Sequence, residues 1–295
     1  MLLTTFPAEY DKDISTRIFD GLGDGSNMPW RQYFNVESTP GQYTINTTGY
    51  SGFGTMGNWY DGEPLPMDEA VHMFDNVLTM AFFGLGFKVS RNHVRYGQLR
   101  LIQRWADSLP RSLTQKYNTD HASVLNNAFS TTYTSLGSIA LISASHTTAG
   151  SSTRSNINAS AALTPANLEV LITQGYNRTN YRGLADPITY NKIITGPSLR
   201  RTVAKILGSD GEMGTTDNDL NTQKGMFSHV LDPFITSTTA YFLQGPTHGL
   251  LSAHGLTPTP KRFIEEPTES LIHGLAADYT YGVEFWEGIS GSQGA

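Results

Sequence analysis

The strongest periodic signal in the chain lies between residues 95 and 128. Ile102, Trp105, Leu109, Leu113, Tyr117, His121, Val124 and Ala128 recur there at steps of three or four, which is one face of a long helix. Pro110 falls inside this pattern without an N–H to donate, and it predicts a kink or a junction between two helices. Ahead of the helix the period changes to two. Tyr43 to Thr47 alternates apolar and polar as a strand does, and Val71 to Ser90 is a β-branched and aromatic return leg. Between them, Gly49 to Gly62 is rich in glycine and carries Phe53, Trp59 and Tyr60. Residues 43–90 therefore read as a long two-stranded ribbon with a flexible aromatic tip. A bare ribbon invites edge pairing, so the pattern predicts that another subunit covers it, with Phe53, Trp59, Tyr60 and Phe74 as contact residues.

The flanking regions are weaker but ordered. Residues 1–35 read as an arm, with a short amphipathic piece around Ile14, Ile18 and Phe19 followed by Gly21, Gly23 and Gly25. Residues 131–160 form a Ser/Thr/Ala/Gly-rich connection. Thr164-Pro165 marks a helix start running to about Gln174, with Thr as cap and Pro at the first helical position. A buried strand at 189–195, a helix restarting at Gly196-Pro197-Ser198, a polar loop at 208–225 and strands at 226–231 and 239–244 complete an α/β unit. Short strands follow Gly245-Pro246 and end at Glu287. The class is α+β, divided as 1–35 arm, 36–90 extended loop, 91–130 long helix, 131–245 α/β domain and 246–295 closing strands.

Composition narrows the possibilities for function. Charged residues are 16% of 295, well below the usual fraction of about a quarter, and a neutral surface suits permanent subunit contacts. Net charge is −6, which argues against a dedicated nucleic-acid binder. Cysteine is absent, so disulfides and thiolate metal sites are excluded. The start of the chain lacks a signal-peptide pattern and Met80–Phe87 is too short to span a bilayer, so a soluble protein is expected.

Catalytic patterns fail one after another. Gly49-Tyr50-Ser51-Gly52 is not a nucleophile elbow, because Phe53 stands where the last glycine belongs. No phosphate-cradling Gly-x4-Gly-Lys-Ser/Thr exists. Asp217-Asn218-Asp219 lacks the spacing and the terminal Glu of a calcium loop, and the scattered His229, His248, His254 and His273 lack zinc-ligand spacing. No catalytic, cofactor-binding or metal-ligating residue is expected. Arg91, Arg95, Arg100, Arg104 and Arg111 cluster on the helix region with Asp107 as the only acid among them. Two readings stay open: a solvated or salt-bridged face, the commoner outcome, and a weakly basic wall toward nucleic-acid phosphates.

The order of parts resembles the major capsid protein of tailed bacteriophages with the HK97-like fold, nearest to Mu-like head subunits. Four stretches carry the resemblance: Gly52-Phe53-Gly54 through Asp61-Gly62-Glu63-Pro64 to Gly84–Ser90; Val124–Ser130; Gly214–Asn221; and Asp232-Pro233 followed by Ala240-Tyr241-Phe242-Leu243. The resemblance implies an N-terminal arm, an extended β-ribbon loop, a spine helix packed through Ile102, Trp105, Leu109, Leu113, Tyr117 and Val124, an inserted axial α/β domain and a peripheral β-sheet. It also implies an icosahedral virion shell of hexamers and pentamers around double-stranded DNA, assembled in the host bacterial cytoplasm. The implied partners are other copies of the chain, a portal protein at one vertex, DNA held weakly without sequence specificity, and room for a decoration protein; no membrane is involved. Some relatives carry an N-terminal scaffolding segment that a protease removes; here the arm begins near Met1, so the expectation is a separate scaffolding protein, or else a sequence that is already the mature form. An encapsulin-type cargo shell and, from a different class, a sugar-binding adhesin are the alternatives.

Some relatives lock their shells by an isopeptide bond from a lysine on the extended loop to a neighbour's asparagine, chemistry that needs a deprotonated amine. After Lys12 the next lysine is Lys88, so the excursion from Tyr43 to Phe87 offers none. Mature, DNA-filled particles boiled in detergent are therefore expected to run on denaturing electrophoresis near the 32.3 kDa monomer. A ladder of resistant oligomers would contradict this.

Overall fold

The computed structural model describes residues 8–23, 27–90, 92–93, 96–135, 137–147, 153–211, 220–265 and 270–295. Arg91, Arg95 and the Asp217–Asp219 loop lie outside these residues. In chain order the elements are α1 (Ala8–Asp20), β1 (Asn35–Ser38), β2 (Thr44–Tyr50), β3 (His72–Thr79), β4 (Ala81–Val89) and α2 (Leu99–Asn126). Then come β5 (His146–Thr147), β6 (Thr153–Arg154), α3 (Pro165–Tyr176), β7 (Lys192–Thr195), α4 (Arg200–Gly208) and β8 (Ser228–Leu231). Last are β9 (Tyr241–Gln244), β10 (Leu250–Glu265), β11 (Ser270–Val283) and β12 (Ile289–Ser292).

The long helix α2 buries Ile102, Ala106, Leu109, Tyr117, His121, Val124 and Leu125. Beneath it lies a four-stranded sheet in the order β1-β10-β11-β4. β1 runs parallel to β10, while β11 runs antiparallel to both of its neighbours, β10 and β4. α1 lies beside α2, its Ile14 and Ile18 packed with Ile102, Ala106, Leu109, Leu271 and Leu275.

Three residues of α2 depart from expectation. Trp105 is not on the fully buried stripe. Ala106 lies four residues after Ile102 and three before Leu109, so it completes the row, and Trp105 turns to the rim. There it is half-buried, edge-on to Phe87 at 6.1 Å and to His93 at 5.3 Å. Leu113 is likewise only partly buried. Pro110, for its part, does not divide the helix, which runs unbroken from Leu99 to Asn126. Its ring is buried against Gly21, where an added Cβ would come within 2.7 Å of Pro110 Cγ, and this packing offsets the missing hydrogen bond.

A second sheet has the order β12-β9-β7-β8. Alternation splits its side chains between two cores. Ile193, Tyr241 and Leu243 face α3 and α4, meeting Leu168, Leu171, Ile172, Val203 and Ile206. Ile194, Val230 and Phe242 join the other core with Trp30, Tyr33, Val124, Leu250, Tyr279 and Trp286, so one apolar core links both sheets. Thr164 caps α3, its hydroxyl accepting the Asn167 N–H at 3.2 Å, with Pro165 at the first helical position.

The C-terminal region differs from the short strands expected. β10 and β11 form a hairpin of 16- and 14-residue strands. β12 then crosses into the second sheet beside β9, so the closing residues serve both sheets. Gly288 makes that crossing with φ +86°, and a Cβ there would sit 1.8 Å from the Thr247 carbonyl oxygen. β4 also belongs to the body, paired with β11, which confines the ribbon to β2 and β3.

His121 sits at the centre of the larger core. Trp30 stacks on it at 3.8 Å; its Nδ1–H donates to the Tyr117 carbonyl at 2.7 Å and its Nε2 accepts from Ser252 Oγ at 2.7 Å. That arrangement needs a neutral ring, and burial lowers the His121 pKa to about 3. Burial also lowers His146, His248 and His254, each to about 4. Between about pH 6.5, the unfolded value, and these folded values the unfolded chain binds protons that the folded chain does not. Stability is therefore expected to fall as pH drops through that window, read as a declining urea midpoint of the dissociated subunit; a flat profile from pH 7 to 4 would contradict it. In the same assay Trp30→Ala is expected to cost about 3–5 kcal/mol, and Trp105→Ala under about half of that. Equal costs would show that the two rings are equally buried.

Candidate assembly surface

The ribbon pairs β2 with β3 from Thr44↔Thr79 to Tyr50↔His72. Its base is fastened to its own body. Thr47 Oγ1 donates to Glu284 at 2.6 Å, Asn76 donates to the Val283 carbonyl, and Leu78 covers Gly282, where a Cβ would be 2.7 Å from its Cδ2. Phe74, expected on the sequence to meet a neighbour, instead lies half-buried over Gly137 of its own chain. The neck closes at Ser51, whose N–H donates to the Val71 carbonyl at 2.9 Å and whose Oγ accepts from the Val71 N–H at 3.0 Å.

Beyond that neck, residues 52–70 carry no helix or strand. Trp59 Nε1 donates to the Glu63 carbonyl at 2.8 Å, and Glu63 N–H donates to the Tyr60 carbonyl at 3.1 Å, which shapes the tip into a turn. Phe53, Trp59 and Tyr60 are all exposed, and the structure adds Met56, Leu65 and Met67, which sequence reading passed over. Met67 is 87% exposed although it is flanked by prolines and acids rather than aromatics, so no pattern marked it. Asp61, Glu63, Asp68 and Glu69 make the tip acidic, with no lysine or arginine from 51 to 71. Six large apolar side chains are thus exposed within residues 53–67 of one projection.

Arg100, Arg104 and Arg111 are exposed along one stripe of α2. Asp107 is engaged by Arg17 at 3.5 Å, and Arg17 also pairs with Asp13 at 3.2 Å. Arg17, Asp107 and Arg111 line an open cavity of about 830 Å³ between α1 and α2. A narrower cavity of about 200 Å³ between β4 and α2 is lined by Phe83, Leu85, Leu109 and Leu113, with Lys116 as its charged group. Polar groups of these linings are bonded to structural partners: Lys116 donates to Asp120, Thr114 to the Pro110 carbonyl, and Asp107 pairs with Arg17. The buried carboxylates are engaged in the core: Tyr279 donates to Asp120 at 2.7 Å, Lys116 to Asp120 at 2.8 Å and Tyr33 to Asp232 at 2.5 Å. Burial raises the Asp232 pKa, and the Tyr33 hydroxyl opposes that rise. Among the described residues no three His, Asp or Glu converge as metal ligands, and no helix is long and apolar enough to cross a membrane.

The chain matches the phage capsid protein family over residues 77–289. No curated protein sequence matches it significantly. Among solved structures it is similar to the mature capsid of bacteriophage PhiM1, at 11% identity and a TM-score of 0.55 over 92% of this chain and 89% of that one. The cyanophage Pam1 capsid is similar at 13% identity and 0.55 over 92% of each chain. A virus-like particle from Pyrococcus furiosus is similar at 11% identity and 0.53, over 96% of this chain and 99% of that one. At such identities the likeness to solved structures is one of fold, and the family match does not single out the Mu-like branch. With the ribbon, the long helix, the two linked sheets and the match across most of its length, this chain belongs to the phage capsid protein family, has the HK97-like fold and is a structural, non-enzymatic subunit of a virion shell.

Proposed function

We propose that the chain is the major head subunit of a tailed phage, closing as hexamers and pentamers around double-stranded DNA. The observation that carries this is the exposed apolar tip at 52–70 on a ribbon fastened at its base and neck. In this reading the axial domain, 131–245 joined by β12, packs around the hexamer and pentamer centres. The spine helix with β10 and β11 forms the contacts between those units. The tip lies on an adjacent subunit and buries Phe53, Trp59 and Tyr60 there. Arg100, Arg104 and Arg111 form a weakly basic inner face, and modest attraction lets packaged DNA move. A separate scaffolding protein, a portal and host-cytoplasmic assembly complete the proposal. A second reading, a cargo-enclosing shell of encapsulin type, draws on the similarity to the Pyrococcus furiosus virus-like particle across 99% of that chain.

Co-expression with its scaffold is expected to yield closed hollow particles by electron microscopy and sedimentation. Only monomers or small oligomers with every candidate scaffold would defeat the proposal, and a monodisperse monomer whose Trp59 fluorescence responds to glycans would favour an adhesin. Particles filled with protein and lacking a portal would favour the cargo shell. Deleting Gly54 to Gly62 is expected to leave the subunit's thermal unfolding unchanged while lowering particle yield; an unchanged yield would remove the tip from the mechanism.

A further inference from the structure

A two-stranded ribbon is marginal alone, and its direction is set by whatever holds its far end. Base contacts through Thr47, Asn76 and Leu78 fix where the ribbon leaves the body. Its neck is held from a different part of the chain, the loop between α3 and β7. That loop is stiff. Thr179 bridges Ala185, the Asn180 N–H donates to the Leu184 carbonyl at 2.7 Å, and Gly183 turns at φ +80°. Asn180 Oδ1 accepts from the N–H groups of Arg182 at 2.9 Å and Leu184 at 3.0 Å. Arg178 and Asp186 pair across the loop's open end.

From the apex Arg182 reaches both sides of the neck, Ser51 on one and Asp68 and Glu69 on the other. Its Nη1 lies 3.1 Å from both carboxylate oxygens of Asp68, its Nη2 donates to the Glu69 carbonyl and its Nε lies 3.4 Å from Ser51 Oγ. Asp68 also accepts the Gly54 N–H at 2.7 Å, so the first residues of the tip are drawn into the same knot. The Gly54 N–H, followed by Arg182, holds the Asp68 carboxyl below the usual carboxylate range, and the grip is therefore charged at neutral pH. An isolated exposed ion pair holds little. Here one planar guanidinium engages the Asp68 carboxylate, the Glu69 carbonyl and the Ser51 hydroxyl on the two sides of the neck, so its loss releases both sides from the loop together.

We propose that Arg182 is a positioning residue for assembly: it holds its own subunit's ribbon neck against the α3–β7 loop, so that the apolar tip meets a neighbour in one direction. The role rests on the shell function proposed above. A tip aimed before contact loses less freedom on docking, which makes each encounter more productive.

The test compares wild type, Arg182→Ala and Arg182→Lys, reading amide exchange at Ser51 and Val71 in the free subunit, urea midpoint, and rate of particle formation with scaffold. In Arg182→Ala, neck exchange is expected to quicken by about tenfold and assembly to slow, with the urea midpoint unchanged. Arg182→Lys keeps the charge without the fork and is expected to recover part of both effects. Unchanged neck exchange in Arg182→Ala would overturn the latch. Faster exchange with normal assembly, a fallen urea midpoint, or a lysine variant no better than alanine would each overturn the positioning role. Exchange is read on the free subunit, so it reports on the latch even if the unaltered chain forms no particles, which would instead defeat the shell function.

Discussion

His121 lies at the point where three distant parts of the chain meet. Trp30, from the turn after the N-terminal helix, stacks on the imidazole at 3.8 Å, and Tyr279 of β11 lies parallel to it at 6.0 Å. The ring stays uncharged because both nitrogens are already committed to neutral partners and because a buried imidazolium would lose its hydration. This contact fixes β11 under α2. Once β11 is fixed, its last residues present Gly282 and the Val283 carbonyl to the ribbon base, Glu284 follows directly, and the chain beyond can turn at Gly288 into the second sheet. The positions of the ribbon and of β12 follow from the burial of one helix face against one strand.

The molecule divides mechanically into a body organised around buried apolar cores and a projection whose large apolar side chains stay exposed. Within the body, the carboxylates of Asp120 and Asp232 accept hydrogen bonds from Tyr279 and Tyr33. On the tip, Phe53, Met56, Trp59, Tyr60, Leu65 and Met67 stay in water. Fully burying a large apolar side chain contributes about 1.5–3 kcal/mol. In the proposed packing, one such tip on one neighbour makes a modest contact, and a closed symmetric shell engages many at once. The low charge content, 16%, fits the same design, because surfaces meant to be buried against copies carry few groups that need desolvation.

What the sequence determined by itself was whatever depends on near neighbours in the chain. The three-and-four spacing from Ile102 to Ala128 produced the long helix, the alternation at Tyr43–Thr47 produced a strand, and Thr164-Pro165 produced a capped helix start. The exposed aromatic tip was also legible, since glycine-rich chain cannot bury Trp59 or Tyr60 within itself. Tertiary structure decided the rest. Trp105 and Ala106 are adjacent, and which of them faces the sheet depends on the helix's rotation against β11, where the small Ala106 lets the elements approach. Pro110 stays helical because Gly21 makes room for its ring. Strand partners are set by pairing across long separations: β3 and β4 follow each other directly, yet one pairs in the ribbon and the other in the body, and β12 joins β9 instead of the preceding hairpin. Arg182 lies 114 residues from Asp68, and only the packed fold brings its guanidinium to the ribbon neck. Short-range periodicity is written in the side chains themselves, whereas pairing between distant segments exists only once the core has chosen which faces it buries.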